Sequence, residues 1–158
     1  MYSIKEIYFT QQGEGFYTGR NAVFLRFSGC NLWTGLEKDR EGAICDWCDT
    51  DFVGTNGPNG GKYSSKQVAE IIQGLWPDNK KEKPFLVCTG GEPLLQMDDE
   101  FISTVHDAGF EIAIETNGTK IPPTGIQTAA CRRNAHRQLL WTEASSTPAE
   151  HPRPAVTN

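Results

Sequence analysis

Three of the five cysteines in the chain lie in one short region, as Cys30, Cys45 and Cys48. The last two form a C-x-x-C pair, and thiolates in such a pair are ligands for zinc or for an iron–sulfur cluster. A structural zinc site normally has four protein ligands. A four-iron cluster held by three thiolates would leave one iron open to a ligand that is not protein, as cluster-based chemistry on a small molecule requires. The trio therefore indicates a metal site.

Two less specific interpretations of the cysteines stay open at this point. Zinc could bind the trio with His106, Asp49 or Cys88 as its fourth ligand. Alternatively, the cysteines could be unrelated buried residues. Cys88 lies in an apolar run and is expected to be a core residue, and Cys131 is assigned no role.

Composition limits the class of protein. The 158 residues are enough for one domain with a core, and the hydrophobic and charged fractions, 37% and 22%, are typical of a soluble globular protein. The formal net charge of −5 argues against a general nucleic-acid binder. The sequence has no apolar run long enough for a spanning helix and no leader pattern at its start. We therefore expect a cytoplasmic protein with no membrane partner and with reduced thiols.

Strands are expected near residues 4–10, 21–30, 85–93 and 110–118, and helices near 64–76 and 98–109. The stretch from Cys30 to Lys62 is expected to be mostly loop. The order predicts an α/β fold with a parallel sheet.

The motifs GEG, SGC, TGGEP and ETNG each follow a predicted strand. Ligands bind beyond the carboxyl ends of strands in such sheets, so the four motifs predict one shared site.

The spacing of Cys30, Cys45 and Cys48, together with four blocks of sequence, resembles the 7-carboxy-7-deazaguanine synthase family of the radical S-adenosylmethionine superfamily. The blocks are QQGEGFYTGRNAVFLRFSGCNLW, CDWCDTDFVGTNG, CTGGEPLLQ and IAIETNGT, and they cover about residues 1–125. The resemblance implies a partial, open (β/α) barrel with a parallel sheet. It also implies conversion of 6-carboxy-5,6,7,8-tetrahydropterin to 7-carboxy-7-deazaguanine with loss of ammonia.

The resemblance implies roles for individual residues as well. Cys30, Cys45 and Cys48 would bind a [4Fe–4S] cluster, and Thr50 would bind Mg²⁺. Residues expected to bind S-adenosylmethionine are Gly90, Gly91 and Glu92. Those expected to bind the pterin substrate are Gln11, Gln12, Gly13, Glu14, Arg26, Thr89 and Glu115. An external one-electron reductant such as flavodoxin is expected as a partner, and a homodimer is expected by the same resemblance.

The chain departs from the family pattern near its end. Residues 1–126 are expected to form the core domain, and residues 127–158, which lack any sustained period, are expected to form a disordered tail. The stretch QLLWTEASST can be translated back to DNA with one choice of codons. Read two bases further on, that DNA encodes a sequence that resembles the family's own continuation. The chain is therefore expected to be truncated or frameshifted relative to the family, and its barrel to be incomplete at the C-terminus.

Overall fold

The computed structural model describes residues 1–78, 81–126, 128–131 and 140–142, the last two ranges by their backbone. One sheet of seven strands runs through this part of the chain in the order β3-β1-β2-β4-β5-β6-β7. The strands are β1 (Tyr2–Gln11), β2 (Asn21–Phe27), β3 (Gly61–Tyr63), β4 (Phe85–Gly90), β5 (Glu111–Thr116), β6 (Thr128–Cys131) and β7 (Leu140–Thr142). The α-helices are α1 (Ser65–Leu75) and α2 (Asp99–Asp107).

The centre of the sheet is parallel, because β2, β4, β5 and β6 pair with one another in the same direction. The prediction of an α/β fold with a parallel sheet is confirmed. β1, however, pairs antiparallel with β2 and with β3, and β7 pairs antiparallel with β6. The short link between β1 and β2 explains the first reversal, since a parallel crossover needs a dozen or more residues.

The two faces of the sheet differ. Side chains at alternate positions of β2, such as Val23, Leu25 and Phe27, are fully buried in the core that also contains residues of α1 and α2. The positions between them, such as Phe24 and Arg26, point to the opposite face, where a smaller apolar cluster lies. A strand in a half-buried sheet alternates in this way. The helices therefore cover one face, and the other is left for a site.

Both helices begin at side-chain caps. Ser64 accepts a hydrogen bond from the Gln67 backbone, and the Gln67 side chain accepts one in return from the backbone of Ser64, which forms a capping box. Asp98 accepts a hydrogen bond from the backbone N–H of Phe101 at 2.9 Å and begins α2. Gly109 follows α2 with a φ of +90°, a conformation that favours glycine.

Two segments differ from the sequence-based expectation. The predicted loop from Cys30 to Lys62 contains a short 3-10 helix, Glu37–Asp39, and its end belongs to β3. The segment 127–158 was predicted to be a tail, yet β6 and β7 extend the sheet through two parts of it. Residues 127, 132–139 and 143–158 lie outside the described residues, so the division of the chain at residue 126 stays a prediction. Neither α-helix of the described residues has the length and apolarity that a membrane span needs.

Candidate active site

A cavity of about 390 Å³ opens at the carboxyl ends of β2, β4 and β5, on the face that the helices do not cover. Its walls come from those strand ends, from the turn after β1 and from the cysteine loop. The predicted site residues that line it are Gln11, Gln12, Gly13, Glu14, Arg26, Cys30, Cys45, Cys48, Thr50, Thr89, Gly90, Gly91 and Glu115. The structure thus brings the four strand-end motifs to one place.

A polar row crosses the sheet and reaches into this cavity. Arg26 is the register partner of Glu6 on β1 and of Thr89 on β4. Its Nε donates to Glu6 Oε1 at 2.8 Å. Burial acts to lower the pKa of Arg26, but the hydrogen bonds to Glu6 and Tyr8 and the charge of Glu6 outweigh it and raise that pKa. The row therefore contains a permanent cation whose terminal nitrogens can bind a carboxylate.

The row continues to Glu115 on β5. Thr89 Oγ1 donates to Glu115 Oε2 at 3.0 Å, and Gln12 Nε2 donates to the other carboxylate oxygen at 3.3 Å. Gln12 is itself held by the backbone N–H of Glu14, which donates to Gln12 Oε1 at 3.2 Å. Glu115 thus links three separate elements and presents a carboxylate that can accept hydrogen bonds from the amino edge of a ligand.

Below the polar row lies an apolar floor. Phe24 is 9% exposed and stacks on Tyr8, with ring centroids 5.9 Å apart, and both rings line the cavity. Two aromatic rings beside a polar row suit a flat heterocycle. Neither ring was identified from the sequence, although the alternation of β1 and β2 would have assigned both to the face of Arg26.

The three thiols of the cysteine loop line the same cavity. Burial is the largest cause that raises the pKa of Cys45, and the nearby thiols of Cys48 and Cys30 add to it. Two N–H donors point to Cys30 Sγ, from the Leu32 backbone at 3.4 Å and from Asn117 Nδ2 at 3.8 Å. Such donors suit a thiolate ligand.

Two of the residues considered as a fourth zinc ligand are engaged elsewhere. Cys88 is fully buried in the core on the helical face, where burial raises its pKa far above the usual range. His106 uses both ring nitrogens, since Nδ1 lies 3.0 Å from the carbonyl oxygen of Phe110 and Nε2 lies 2.6 Å from that of Gly125. Asp49 lines the cavity. Within the described ranges, no three His, Cys, Asp or Glu side chains converge as a single-ion site would require.

Thr50 lines the cavity beside the cysteines, and a lysine orders the segment that follows it. Lys5 is 7% exposed, and its Nζ contacts Asp51 Oδ2 at 2.8 Å and donates to the Val53 carbonyl at 2.9 Å. The hydrogen bond from Lys5 lowers the pKa of Asp51. Thr50 and Asp49 thus offer oxygen atoms of the kind that Mg²⁺ prefers on a loop that Lys5 fixes.

The glycines of the TGGEP motif permit close backbone packing. A Cβ on Gly90 would lie 2.3 Å from the carbonyl oxygen of Phe27, and one on Gly91 would lie 2.9 Å from Cys30 Cβ. No side chain fits at such distances. Both glycines therefore allow the end of β4 to pack directly against the backbone that leads to Cys30.

Glu92, predicted to bind S-adenosylmethionine, does not line the cavity. Its side chain is fully buried, and its carboxylate accepts hydrogen bonds from Thr116 Oγ1 at 2.8 and 2.9 Å, from the Asn117 backbone at 2.7 Å and from the Leu94 backbone at 3.0 Å. In this structure Glu92 joins the end of β4 to the end of β5. Its direct contact with the cofactor stays a prediction.

A sheet with a parallel centre and three thiols lining one cavity at its strand ends is the arrangement expected of a radical S-adenosylmethionine enzyme. Curated proteins named 7-carboxy-7-deazaguanine synthase match most of the chain. The chain is 49% identical to the one from Caulobacter vibrioides over 89% of its own length and 67% of the relative's. It is 56% identical to the one from Burkholderia multivorans, over 75% of its own length and 56% of the relative's. It is 45% identical to the one from Bradyrhizobium diazoefficiens, over 93% of its own length and 75% of the relative's. The chain therefore belongs to the 7-carboxy-7-deazaguanine synthase family.

A solved structure supports this assignment. The crystal structure of QueE from Escherichia coli matches 82% of the chain and 58% of that protein, with a TM-score of 0.61 and 27% sequence identity. No family model matches the chain. The chain spans between 56% and 75% of the three curated relatives named above. The match to the Bradyrhizobium diazoefficiens relative covers 93% of the chain, which is more than residues 1–126 alone could supply. The sequence similarity therefore extends beyond the four blocks.

Proposed function

We propose that this chain converts 6-carboxy-5,6,7,8-tetrahydropterin to 7-carboxy-7-deazaguanine and ammonia in deazapurine biosynthesis. The observation that carries the proposal is the row of Arg26, Thr89 and Glu115 beside three thiols in one cavity, with Glu6 holding Arg26 from the neighbouring strand. The membership of the chain in the family supports the same reaction.

The row orients the substrate by its two ends. Arg26 binds the carboxylate through its terminal nitrogens, because Nε is already used by Glu6. Glu115 accepts hydrogen bonds from the amino edge of the pterin. Thr89 and Gln12 hold the carboxylate of Glu115 in place. Tyr8 and Phe24 support the ring, and Thr50 would hold a Mg²⁺ ion through its hydroxyl oxygen.

Cys30, Cys45 and Cys48 hold the [4Fe–4S] cluster by their thiolates, and Gly90 and Gly91 bring the backbone of β4 to the cofactor. The donor set fits the cluster, because the three thiols line one cavity and two N–H groups already point to Cys30 Sγ. When bound, the cluster and S-adenosylmethionine would supply hydrogen-atom abstraction, for which an external reductant would provide one electron. The chain contributes orientation of the substrate and exclusion of water.

We infer further that the chain receives its electron from an external reductant such as flavodoxin and acts in the cytoplasm as a homodimer, with no nucleic-acid or membrane partner. The net charge of −5 supports the absence of a nucleic-acid partner. A second candidate function is binding of the cluster, the cofactor and the substrate without turnover.

The test begins with anaerobic reconstitution of the full chain with iron and sulfide. We expect about four irons per chain, and an electron paramagnetic resonance spectrum of the reduced protein that changes when S-adenosylmethionine is added. Incubation with Mg²⁺, reductant and the carboxylated tetrahydropterin should then release 7-carboxy-7-deazaguanine and ammonia in equal amounts. Cys45→Ser is the matched control and should give neither cluster nor product.

Two other results would change the conclusion. A cluster-loaded chain that binds S-adenosylmethionine and pterin but releases no product would establish the second candidate. A colourless chain that holds zinc, or a spectrum unaffected by S-adenosylmethionine, would overturn both.

A further inference from the structure

Arg40 lies in the segment between Cys30 and Cys45, and its guanidinium rests on a buried aromatic platform. Arg40 Cζ is 4.2 Å from the centroid of the Trp33 ring. Trp33 is 8% exposed, packs edge-on against Phe52 at 5.7 Å, and donates from Nε1 to the Leu36 carbonyl at 3.2 Å. The stacking of a guanidinium on such a ring is favourable and fixes the plane of its donors.

From this platform Arg40 reaches the turn that carries the other two cysteines. Its Nη1 donates to the carbonyl oxygen of Asp46 at 2.7 Å and to that of Cys48 at 3.0 Å. Its Nε contacts Glu37 Oε1 at 2.7 Å, which holds the guanidinium from the side of the 3-10 helix. A planar guanidinium can stack and donate in several directions at once, which a lysine ammonium cannot do.

The same turn is attached to the first cysteine by backbone contacts. The N–H groups of Ile44 and Cys45 both donate to the Leu32 carbonyl, at 3.1 and 3.3 Å. Leu32 in turn donates its own N–H to Cys30 Sγ at 3.4 Å. Arg40 thus fixes the far side of a turn whose near side is already joined to Cys30.

We propose that Arg40 is a positioning residue for the cluster: it holds the turn of Cys45 and Cys48 in place, and its charge raises the reduction potential of the cluster. This inference rests on the proposed function. A cation close to a cluster favours the reduced form, and contacts around the ligands set both affinity and potential. Glu37, whose side chain is 78% exposed, offsets part of that charge.

Three variants separate the positional effect from the charge effect. Arg40→Gln removes both, Arg40→Lys keeps the charge but loses the planar fork, and Lys38→Gln is the matched control. Lys38 is an exposed residue of the 3-10 helix Glu37–Asp39, so its substitution removes an equal charge while the hydrogen bonds of Arg40 to the turn stay in place. The measurements are the rate at which the reconstituted chain loses iron to a chelator, and the midpoint potential of the cluster. Far-UV circular dichroism checks the fold of each variant.

We expect Arg40→Gln to lose iron about 10- to 100-fold faster than the wild type and to have a lower midpoint potential. Arg40→Lys should lose iron faster while its potential stays close to the wild-type value, and Lys38→Gln should change neither. If Arg40→Gln folds poorly, Arg40→Lys still tests the positional effect, because it should lose iron faster than Lys38→Gln.

The inference would be overturned if both Arg40 variants lost iron as slowly as the wild type, or if the midpoint potential of Arg40→Gln were unchanged. Either result would leave the proposed function standing, since the cluster itself would be present. A wild-type chain that takes up zinc in place of iron would overturn the inference and the proposed function together.

Discussion

Arg26 and Thr89 are register partners on neighbouring parallel strands, and each is held by a carboxylate on its other side. Glu6 accepts from Arg26 at 2.8 Å, and Glu115 accepts from Thr89 at 3.0 Å. The register places a cation that lines the cavity between two acidic side chains. This arrangement can distinguish a carboxylated ring from an uncarboxylated one, because only the carboxylated ring supplies a second anion to the guanidinium that Glu6 already holds.

The first prediction concerns Glu6, which orients Arg26 without being predicted to touch the substrate. Glu6→Gln removes the charge from the hydrogen bond to Nε and is expected to weaken binding of the carboxylated pterin about tenfold, or about 1.4 kcal/mol. Isothermal titration of the cluster-loaded chain measures the affinity. Glu111→Gln is the control, because Glu111 pairs with Arg20 at the opposite end of the strands. An affinity equal to the wild type in Glu6→Gln would show that Arg26 is held by other contacts.

The second prediction concerns Glu92 and decides between two roles for it. A fully buried carboxylate that accepts from Thr116, Asn117 and Leu94 should stabilise the fold, so Glu92→Ala is expected to lower the free energy of unfolding by about 2 to 4 kcal/mol. Urea unfolding measures this value. Glu70→Ala, on the exposed side of α1, should change it by less than about 0.5 kcal/mol.

A different result would restore the role that the sequence suggested. If Glu92 binds S-adenosylmethionine directly, Glu92→Gln would abolish cofactor binding and leave stability nearly unchanged. We expect the opposite result, a loss of stability, because Thr116, Asn117 and Leu94 already donate hydrogen bonds to this buried carboxylate.

Much of the fold follows from local patterns in the sequence. The apolar face of α1, the caps Ser64 and Asp98, and the alternation along β2 each have a short-range cause, and the structure contains all of them. The gathering of the strand-end motifs was also predictable, since parallel strands end at one edge. The site residues on those motifs accordingly line one cavity.

Other features depend on contacts that no local pattern specifies. The pairing of Glu6 with Arg26 requires the register shift between Ile4 and Glu6, which depends on how β1 meets β2. The burial of Glu92 depends on donors from β5. Arg40 resembles any surface arginine until the loop folds and brings the carbonyls of Asp46 and Cys48 to it.

The third prediction separates the core cysteine from the cluster cysteines. Cys88→Ala should leave the iron content of the reconstituted chain unchanged while lowering the free energy of unfolding by about 1 kcal/mol, because it leaves a small cavity in the core. Cys45→Ser should do the opposite, with iron lost and the stability of the metal-free chain nearly unchanged, since Cys45 is half-exposed in a loop. Iron content per chain and urea unfolding measure the two effects. Loss of iron in Cys88→Ala would place that thiol among the ligands.

The fourth prediction concerns the acid stability of the chain and rests on Asp98, the cap of α2. Burial acts to raise the pKa of Asp98, but the hydrogen bonds from the Tyr2 hydroxyl, at 2.6 Å, and the Phe101 backbone outweigh it and lower that pKa. A carboxylate with a lowered folded-state pKa stabilises the fold fully above its unfolded pKa, which is about 3.9 for aspartate. That contribution is lost as the pH falls through the folded-state value.

The wild-type free energy of unfolding should therefore decrease below about pH 4, and Asp98→Asn should decrease less steeply over the same range. Asparagine still caps a helix, so the variant removes the titration while keeping the cap. Tyr2→Phe tests the cause, since it removes the hydroxyl that lowers the pKa of Asp98 and should shift the loss of stability to higher pH. Urea unfolding between pH 3 and pH 6 measures all three chains, because this range brackets the unfolded-state pKa of aspartate. Identical slopes for the wild type and Asp98→Asn would mean that other carboxylates determine the acid stability of this fold.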